Sequence, residues 1–270
     1  MVAAMTGTGG PDVRGSGRGE AHVQSLGRGL AVIESFDADN EAVTLSDVAR
    51  RTGLTRATAR RFLLTLVDLG YMRTDGRLFS LTPRVLRLGY AYLSAMRLPQ
   101  IAQPHLEALS ARLGESVSVA VLDGSDIVYV ARVATRRIMT VDISVGTRFP
   151  AYATSMGRVL LAALPRAELD RVLASTRLQP LTDRTIVDAG TLSQELDRVR
   201  SQGFSLVDQE LEPGLRSLAA ALRGRDGRVV AAVNVSTQAG SVRDDSLASY
   251  LPALLEAAAA ISADLQATDR

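Results

Sequence analysis

Residues 45–70 read LSDVARRTGLTRATARRFLLTLVDLG, and the fold of the first part of the chain turns on them. Ser46 stands where a helix N-cap would, with Asp47 in the first turn, so a short helix is expected through Thr52. Gly53 breaks it where a tight turn tolerates a positive φ. Thr55 then caps a longer helix reaching about Leu69, closed by Gly70. Ala49 is small where two helices approach closely, and Val48, Leu54, Ala59, Phe62, Leu63 and Leu66 supply a shared core. That is the steric signature of a helix-turn-helix. Thr55, Arg56, Thr58, Arg60 and Arg61 are left off the core face, grouped in the N-terminal half of the second helix. In a helix-turn-helix that end enters the DNA major groove. Arginine clamps guanine edges with paired hydrogen bonds, while threonine hydroxyls and the helix N-terminus hold phosphates. Any one of these arginines alone reads as an ordinary solvated residue; their grouping beside the turn and its caps points to DNA.

Downstream, YMRTDGRLFSL (71–81) places two β-prone runs around Asp75-Gly76, a dipeptide suited to a two-residue hairpin turn. The hairpin reads as a wing, with Arg73 and Arg77 flanking its tip for backbone contacts. Upstream, VQSLGRGLAVIESF (23–36) sets Leu26, Leu30 and Ile33 at helical spacing, and DADNEAVT (37–44) reads as a polar loop. The first 20 residues hold six glycines and almost no apolar periodicity, so 1–21 is read as a disordered tail. Its Arg14 and Arg18 are either solvated or in reach of a minor groove. After the wing, PRVLRLGYAYLSAM (83–96) is helical, with Leu86, Tyr90 and Leu93 along one side and Pro99 as its end. The domain boundary is placed there.

The charge distribution agrees with this division. The 270-residue chain has no cysteine and no lysine, so its 31 basic side chains are all arginine. Disulfides, thiol chemistry and cysteine-based zinc sites are excluded. The net charge is +2, but residues 1–98 carry 13 arginines against nine acids, and residues 99–270 carry 18 against 20. A basic unit joined to a near-neutral one implies a polyanion partner for the first alone. No signal peptide is recognised and no apolar run reaches the roughly 18 residues of a membrane span, so a cytoplasmic protein without a membrane partner is expected.

The second part begins with a helix, QPHLEALSARLG. In SVSVAVLDGSDIVYVARV, Val117, Val119 and Val121 alternate with Ser116, Ser118 and Ala120, which reads as a half-buried strand, a turn at Asp123-Gly124 and a second strand. RIMTVDIS adds a strand. ATSMGRVLLAAL, RAELDRVLA and TLSQELDRVRSQG read as helices, and 204–210, 216–222 and 229–236 as strands. A closing helix carries Leu251, Leu254, Leu255, Ala258, Ile261 and Leu265 on one stripe. Strands interrupted and flanked by helices make an α+β domain.

The stretches VQSLGRGLAVIESF, TLSDVARRTGLTRATARRFLLTLVDLGYM and FSLTPRVLRLGYAYL, with VGTRFPAYATSMGRVLLAALP and GFSLVDQELEPGLRSLAAAL, resemble the isocitrate-lyase-regulator (IclR) family over roughly residues 22–267. Within it they are most similar to regulators of the β-ketoadipate pathway, which handle protocatechuate and related aromatic acids. The resemblance implies a two-domain fold: an N-terminal α+β winged helix-turn-helix (22–82), a linker helix (83–98) that helps dimerise, and a C-terminal α+β GAF-like effector-binding domain (99–267). It also implies double-stranded operator DNA and a small organic acid as partners, no cofactor, and assembly as a homodimer or homotetramer.

A sensor needs a pocket with a few fixed polar groups. In ATSMGRVLL, Thr154 or Ser155 caps a helix whose N–H groups at Ser155, Met156 and Gly157 would face an anion. Both are open to a duller reading as caps only. By resemblance the effector site lies at this loop and on the facing strands, giving Ser217, Asn234 and Ser236 as polar wall and Met139, Val141 and Tyr152 as apolar wall. Either Asp208 or its neighbour Val207 takes the family's acidic position. Asp208, Glu210 and Glu212 alternate along an extended run, so they read as paired carboxylates or, without His or Cys beside them, as salt-bridge partners, for example of Arg216. His105 reads as structural. No nucleophile elbow, P-loop or zinc-protease motif occurs. A ligand-responsive regulator is therefore expected over its rival, a metabolite-binding enzyme with a basic accessory domain; a regulator sensing a different organic acid is the third reading.

Overall fold

The computed structural model describes residues 23–37, 40–95, 97–135, 143–239 and 244–267. They fall into two compact units divided between Ser94 and Ala95. The boundary expected at Pro99 moves upstream, because Leu98 is buried in the second core and Pro99 lies in the first turn of a new helix. The readings of 1–21, Met139 and Val141, and most of the strand proposed from RIMTVDIS, lie outside the described residues.

The first unit contains α1 (Gln24–Glu34), β1 (Ala42–Thr44), α2 (Leu45–Thr52), α3 (Arg56–Asp68), β2 (Met72–Thr74), β3 (Leu78–Leu81) and, after a 3-10 turn at Pro83–Val85, α4 (Leu86–Ala95). The cap of α2 is Thr44, not Ser46. Its hydroxyl accepts from the Asp47 N–H at 3.3 Å and Asp47 Oδ2 accepts from the Thr44 N–H at 3.3 Å, a reciprocal capping box. Gly53, at φ 67°, makes the turn into α3, and Thr55 caps α3 by accepting from the Thr58 N–H. Val32, Val48, Ala59, Leu63, Leu66, Met72 and Phe79 form the core, with Leu54 and Phe62 packed at its margin.

Two local readings change. Part of the loop read over 37–44 is a strand: β1 joins the hairpin in the order β1-β3-β2 through the pairing of Val43 with Phe79, which is distant in sequence. The hairpin turn centres on Gly76 and Arg77 rather than Asp75-Gly76. Asp75 pairs with Leu78, and its Oδ1 accepts from the Arg77 and Leu78 N–H groups at 2.8 and 2.7 Å. An Asx turn therefore pulls the tip one residue along. Leu26 and Leu30 do not reach the core but stand 64% and 45% exposed, as do Leu86 and Tyr90, each at 70%.

The second unit is a six-stranded antiparallel sheet in the order β6-β5-β4-β9-β8-β7, built from β4 (Ser116–Asp123), β5 (Asp126–Val133), β6 (Arg148–Pro150), β7 (Phe204–Asp208), β8 (Leu215–Arg223) and β9 (Val229–Gln238). The short edge strand β6 and the 3-10 turn Ala151–Ala153 carry no period-2 signal and were not expected. Helices α5 (Leu98–Leu113) and α9 (Asp244–Ala267) pack on one face, where Val117, Val119 and Val121 meet Leu106, Leu109, Leu254 and Ile261. Helices α6 (Ser155–Ala163), α7 (Arg166–Ser175) and α8 (Ala189–Gln202) contribute to the other core, with Ala120, Ala219 and Ala232. Helices thus cover β4 on both faces, so Ser116, Ser118 and Ala120 are buried too and the half-buried reading of this strand fails. On α9, Leu255 leaves the expected stripe and is exposed. His105 on α5 contacts Asp264 of α9 at 2.7 Å, tying the two helices together.

Candidate functional site

Two surfaces bring predicted residues together. The first is the outer side of α3 and the wing. Arg56, Arg60 and Arg61 are exposed, and none forms an ion pair with a described residue. Thr55 and Thr58 spend their hydroxyls on each other, at 2.9 Å, and on the cap, so they hold the helix end rather than offering a free side chain. On the wing, exposed Arg73 donates from Nε to Ser80 Oγ at 3.0 Å, and exposed Arg77 occupies the turn itself. By contrast Arg50 and Arg51 on α2 are held by Asp47 and Asp37. α3 and the wing tip therefore group several cations that no described carboxylate neutralises, which is the pattern a polyanion needs.

The second surface is a pocket in the second unit, where the N-terminus of α6 meets β5, β7, β8 and β9. Thr154 caps α6, its Oγ1 accepting from the Gly157 N–H at 3.2 Å. This corrects one expectation. The Gly157 N–H is consumed by the cap, so the N–H groups left at the helix start are those of Ser155 and Met156, and Gly157 itself lies off the pocket. Its smallness is steric: a Cβ there would sit 2.2 Å from the Ala151 carbonyl oxygen and 2.5 Å from Thr154 Oγ1. Residues Ser155–Ala162 are all buried, which fixes the axis of α6 and the aim of its dipole.

Thr154, Ser155 and Met156 form one side of the pocket; Ser217, Asn234 and Ser236 face them from β8 and β9. Asn234 Nδ2 donates to Ser236 Oγ at 2.9 Å. Asn234 Oδ1 and Ser155 Oγ are buried and have no hydrogen-bond partner among the described residues. A buried polar atom left so costs free energy, and a ligand that completes it recovers that cost. Tyr129, Ile143, Ala153, Val207, Leu211 and Leu215 complete the lining, and none of the described lining residues carries a charge. Burial pushes the Tyr129 phenol up to about 12, so it stays a neutral donor across the physiological range.

Two predicted wall residues lie elsewhere. Tyr152 is buried, but its hydroxyl donates to the Gln179 carbonyl at 2.9 Å and accepts from the Gln179 N–H at 3.0 Å, which turns it away from the pocket. Strand alternation points Val207 inward and Asp208 outward, where Asp208 meets Arg216 at 2.9 Å and Arg184. The face expected for Asp208, Glu210 and Glu212 does not form, because Gln209 at φ 62° breaks the alternation. Tyr129, Ile143, Ala153, Leu211 and Leu215 were missed. Only Tyr129 left a signal, as the one aromatic residue of β5. Among the described residues no group of His, Asp or Glu is arranged to hold a metal, and no helix is long and apolar enough to cross a membrane.

Known proteins match both parts of the chain. Residues 25–76 match the family model described as the IclR helix-turn-helix domain, and residues 90–263 match the one described as bacterial transcriptional regulator IclR C-terminal. The Pca regulon regulatory protein of Pseudomonas putida is 47% identical over 235 residues, covering 86% of this chain and 81% of that protein. The p-hydroxybenzoate hydroxylase transcriptional activator of Acinetobacter baylyi is 37% identical over 243 residues, covering 88% of this chain and 90% of that protein. A solved structure from Rhodococcus sp. RHA1 is 58% identical, with a TM-score of 0.79, and covers 92% of this chain and 100% of its own. An IclR homolog from Microbacterium hydrocarbonoxydans, complexed with 4-hydroxybenzoate, is 28% identical, with a TM-score of 0.77, over 90% of this chain and 100% of its own.

Proposed function

The chain belongs to the IclR family of bacterial transcriptional regulators, and from that premise we propose that it reads operator DNA with α3 and the wing and senses a small hydroxylated aromatic acid in the pocket beside α6. It is a regulator and not an enzyme. Arg56, Arg60 and Arg61 enter the major groove with the N-terminal half of α3, and Arg73 and Arg77 hold phosphates from the wing. The effector's carboxylate sits at the Ser155 and Met156 N–H groups and the Ser155 hydroxyl, and a ring hydroxyl donates to Asn234 Oδ1. Met156, Leu211, Leu215 and Val207 clasp the ring. The family resemblance of the sequence adds Met139 and Val141 to that wall.

The observation that carries this reading is the pair of unpartnered buried oxygens, Ser155 Oγ and Asn234 Oδ1, facing a common cavity at a helix N-terminus. The enclosed volume is about 10 Å³, space for roughly one water molecule. An aromatic ring enters only if a wall moves. Binding then selects a wider state, as a sensor requires, since a ligand shifts an equilibrium only by preferring one arrangement.

Calorimetric titration of the full chain with 4-hydroxybenzoate, protocatechuate and benzoate tests the assignment. The hydroxylated acids are expected to bind at least about tenfold more tightly than benzoate, which cannot reach Asn234. Asn234→Leu should erase that difference, and Ser155→Val should weaken all three acids. Tight binding of a different acid class, with these three inert, overturns the choice of effector in favour of another organic acid.

Val23, Leu26 and Leu30 on α1 and its approach, with Leu86, Leu88, Tyr90 and Tyr92 on α4, are large apolar side chains exposed on the first unit. A second copy covering them supports a homodimer, or a dimer of dimers, able to read paired half-sites. Sedimentation of the full chain checks this, and a strictly monomeric species rejects it. We propose the cytoplasm as its location, since a protein that reads operator DNA works where that DNA is.

A further inference from the structure

Behind the pocket lies a buried ion pair. Arg158 on α6, 1% exposed, donates from Nη2 to Glu210 Oε2 at 2.5 Å and from Nε to the Tyr152 carbonyl at 2.9 Å. Glu210, 7% exposed, also accepts from the Ile186 N–H at 3.1 Å. Its own carbonyl accepts from Thr185 Oγ1 at 2.6 Å, and the Gln209 carbonyl accepts from Thr182 Oγ1 at 2.7 Å. Glu195 lies 3.8 Å from Arg158 Nη1 but makes its close contacts, at 2.8 Å, with Arg198. Neither Arg158 nor Glu210 lines the pocket.

Stability alone does not account for such a pair, since apolar residues of the same volume often serve a core as well or better. Its position does. Arg158 follows Ser155 and Met156 on the first turns of α6, and Glu210 directly precedes Leu211 in the corner that joins β7 to β8. That corner and the start of β8 supply Leu211 and Leu215 to the pocket lining. The pair therefore ties the anion-facing helix end to the corner that leads into the apolar part of the wall. Of the two sides, the helix is the fixed one: it is buried along its length, and Arg200 donates to the Ala162 and Leu164 carbonyls at its far end. The corner is the side whose shape depends on the contacts that hold it. It turns on Gln209 at φ 62°, a left-handed conformation unfavourable for a residue with a Cβ, which persists only while its surroundings hold it.

We propose that Arg158 and Glu210 are a positioning pair for the effector pocket, setting the distance between the α6 N-terminus and the Leu211–Leu215 wall and so tuning effector affinity from outside the site. This rests on the reading of the pocket as the effector site. Loss of the pair frees the corner, the wall drifts, and the ring loses its apolar clasp while the operator-reading unit is untouched.

The test uses the full chain with 4-hydroxybenzoate as probe. Glu210→Gln keeps the shape and removes the charge, and Arg158→Lys keeps the charge and removes the fork that reaches both Glu210 and Tyr152. Because one unpaired buried charge can unfold a domain, Arg158→Met with Glu210→Leu removes both charges together. Each variant is checked for cooperative thermal unfolding and for operator affinity without effector. Expected are operator affinity within twofold of wild type, an effector Kd raised about tenfold or more in the Met/Leu double variant despite its intact fold, and a smaller rise in Arg158→Lys. A double variant that folds and binds 4-hydroxybenzoate at wild-type affinity overturns the positioning role and leaves the pocket reading standing. Wild-type protein that binds none of the aromatic acids overturns the pocket reading and this inference with it.

Discussion

On α3, Arg56, Arg60 and Arg61 stand exposed without an ion pair among the described residues, whereas in the second unit Arg148, Arg158, Arg184, Arg198 and Arg216 are each held by a carboxylate. The same side chain serves two ends. An unpaired guanidinium offers its full charge to a phosphate and releases counterions when it binds. A paired one is committed to its own fold, and the cavity nearby is left neutral, to be addressed by N–H dipoles and hydroxyls. The sharpest way to break this contrast is to remove the free cations. Replacing Arg56, Arg60 and Arg61 together by Ala is expected to weaken operator binding by about 10³-fold or more, at roughly 1–3 kcal/mol per base contact. The log–log salt slope should fall by about 0.9 for each phosphate that is no longer neutralised. Arg184→Ala, which removes a cation already paired with Asp208, should leave both quantities unchanged. Fluorescence anisotropy across a salt series measures both, and equal effects from the two changes would abolish the distinction.

The next effect belongs to the second unit alone. Gly157→Ala drives a Cβ into the Ala151 backbone, at distances of 2.2 and 2.3 Å that no side-chain shift relieves. A loss of about 3 kcal/mol is expected, at the upper end of ordinary overpacking. Calorimetry should show the melting of the second unit lowered and that of the first preserved. A Gly157→Ala protein that melts like the parent would mean that the 3-10 turn before α6 shifts freely, and the anion site with it.

The two units also differ in how far their sequence could be read. In the first, most determinants are local. Thr55, Gly53 and the Arg56–Arg60–Arg61 grouping lie within one short window, so caps, breaker and spacing act on neighbouring residues. Besides the cap of α2, the place of the hairpin tip and the exposure of Leu26 and Leu30, what escaped there was β1, whose three residues make a strand only by pairing with β3. In the second unit the helices and most strands were legible, but the pocket was legible only in part. Thr154, Ser155 and Met156 announced themselves as a helix start, whereas Leu211 and Leu215 line the pocket because a buried pair spanning Arg158 to Glu210 holds their corner in place. No periodicity encodes that. The choice between Val207 and Asp208 depended on strand parity, and the left-handed Gln209 breaks that parity just after them.

A smaller effect separates cap from core in the first unit. Thr44→Ala removes the hydroxyl that accepts from the Asp47 N–H and with it half of the capping box. About 1 kcal/mol should be lost from the first unit by denaturant unfolding, with effector binding in the second unchanged.

The smallest effect lies at the wing tip and depends on pH. Hydrogen bonds from the Leu78 and Arg77 N–H groups hold the Asp75 carboxyl below its ordinary value of 3.8. A carboxyl lowered in the folded state supports the turn fully above its unfolded value, and the support is lost as pH falls through the folded value. Asp75 is fully exposed, so water screens the gain and the wing loosens without unfolding. Amide exchange of Leu78 and Arg77 reports it directly. At pH 6 the parent should protect these two amides more than Asp75→Ala does, by no more than about tenfold. As pH drops below the parent carboxyl's value the two proteins should converge, because protonation removes what the substitution removed. Arginines of the wing meet phosphate only if the tip is ordered, so at pH 6 the same substitution should lower operator affinity slightly. If the amide difference instead persists unchanged at low pH, the turn is held by its backbone register, and the carboxylate contributes nothing to presenting Arg77.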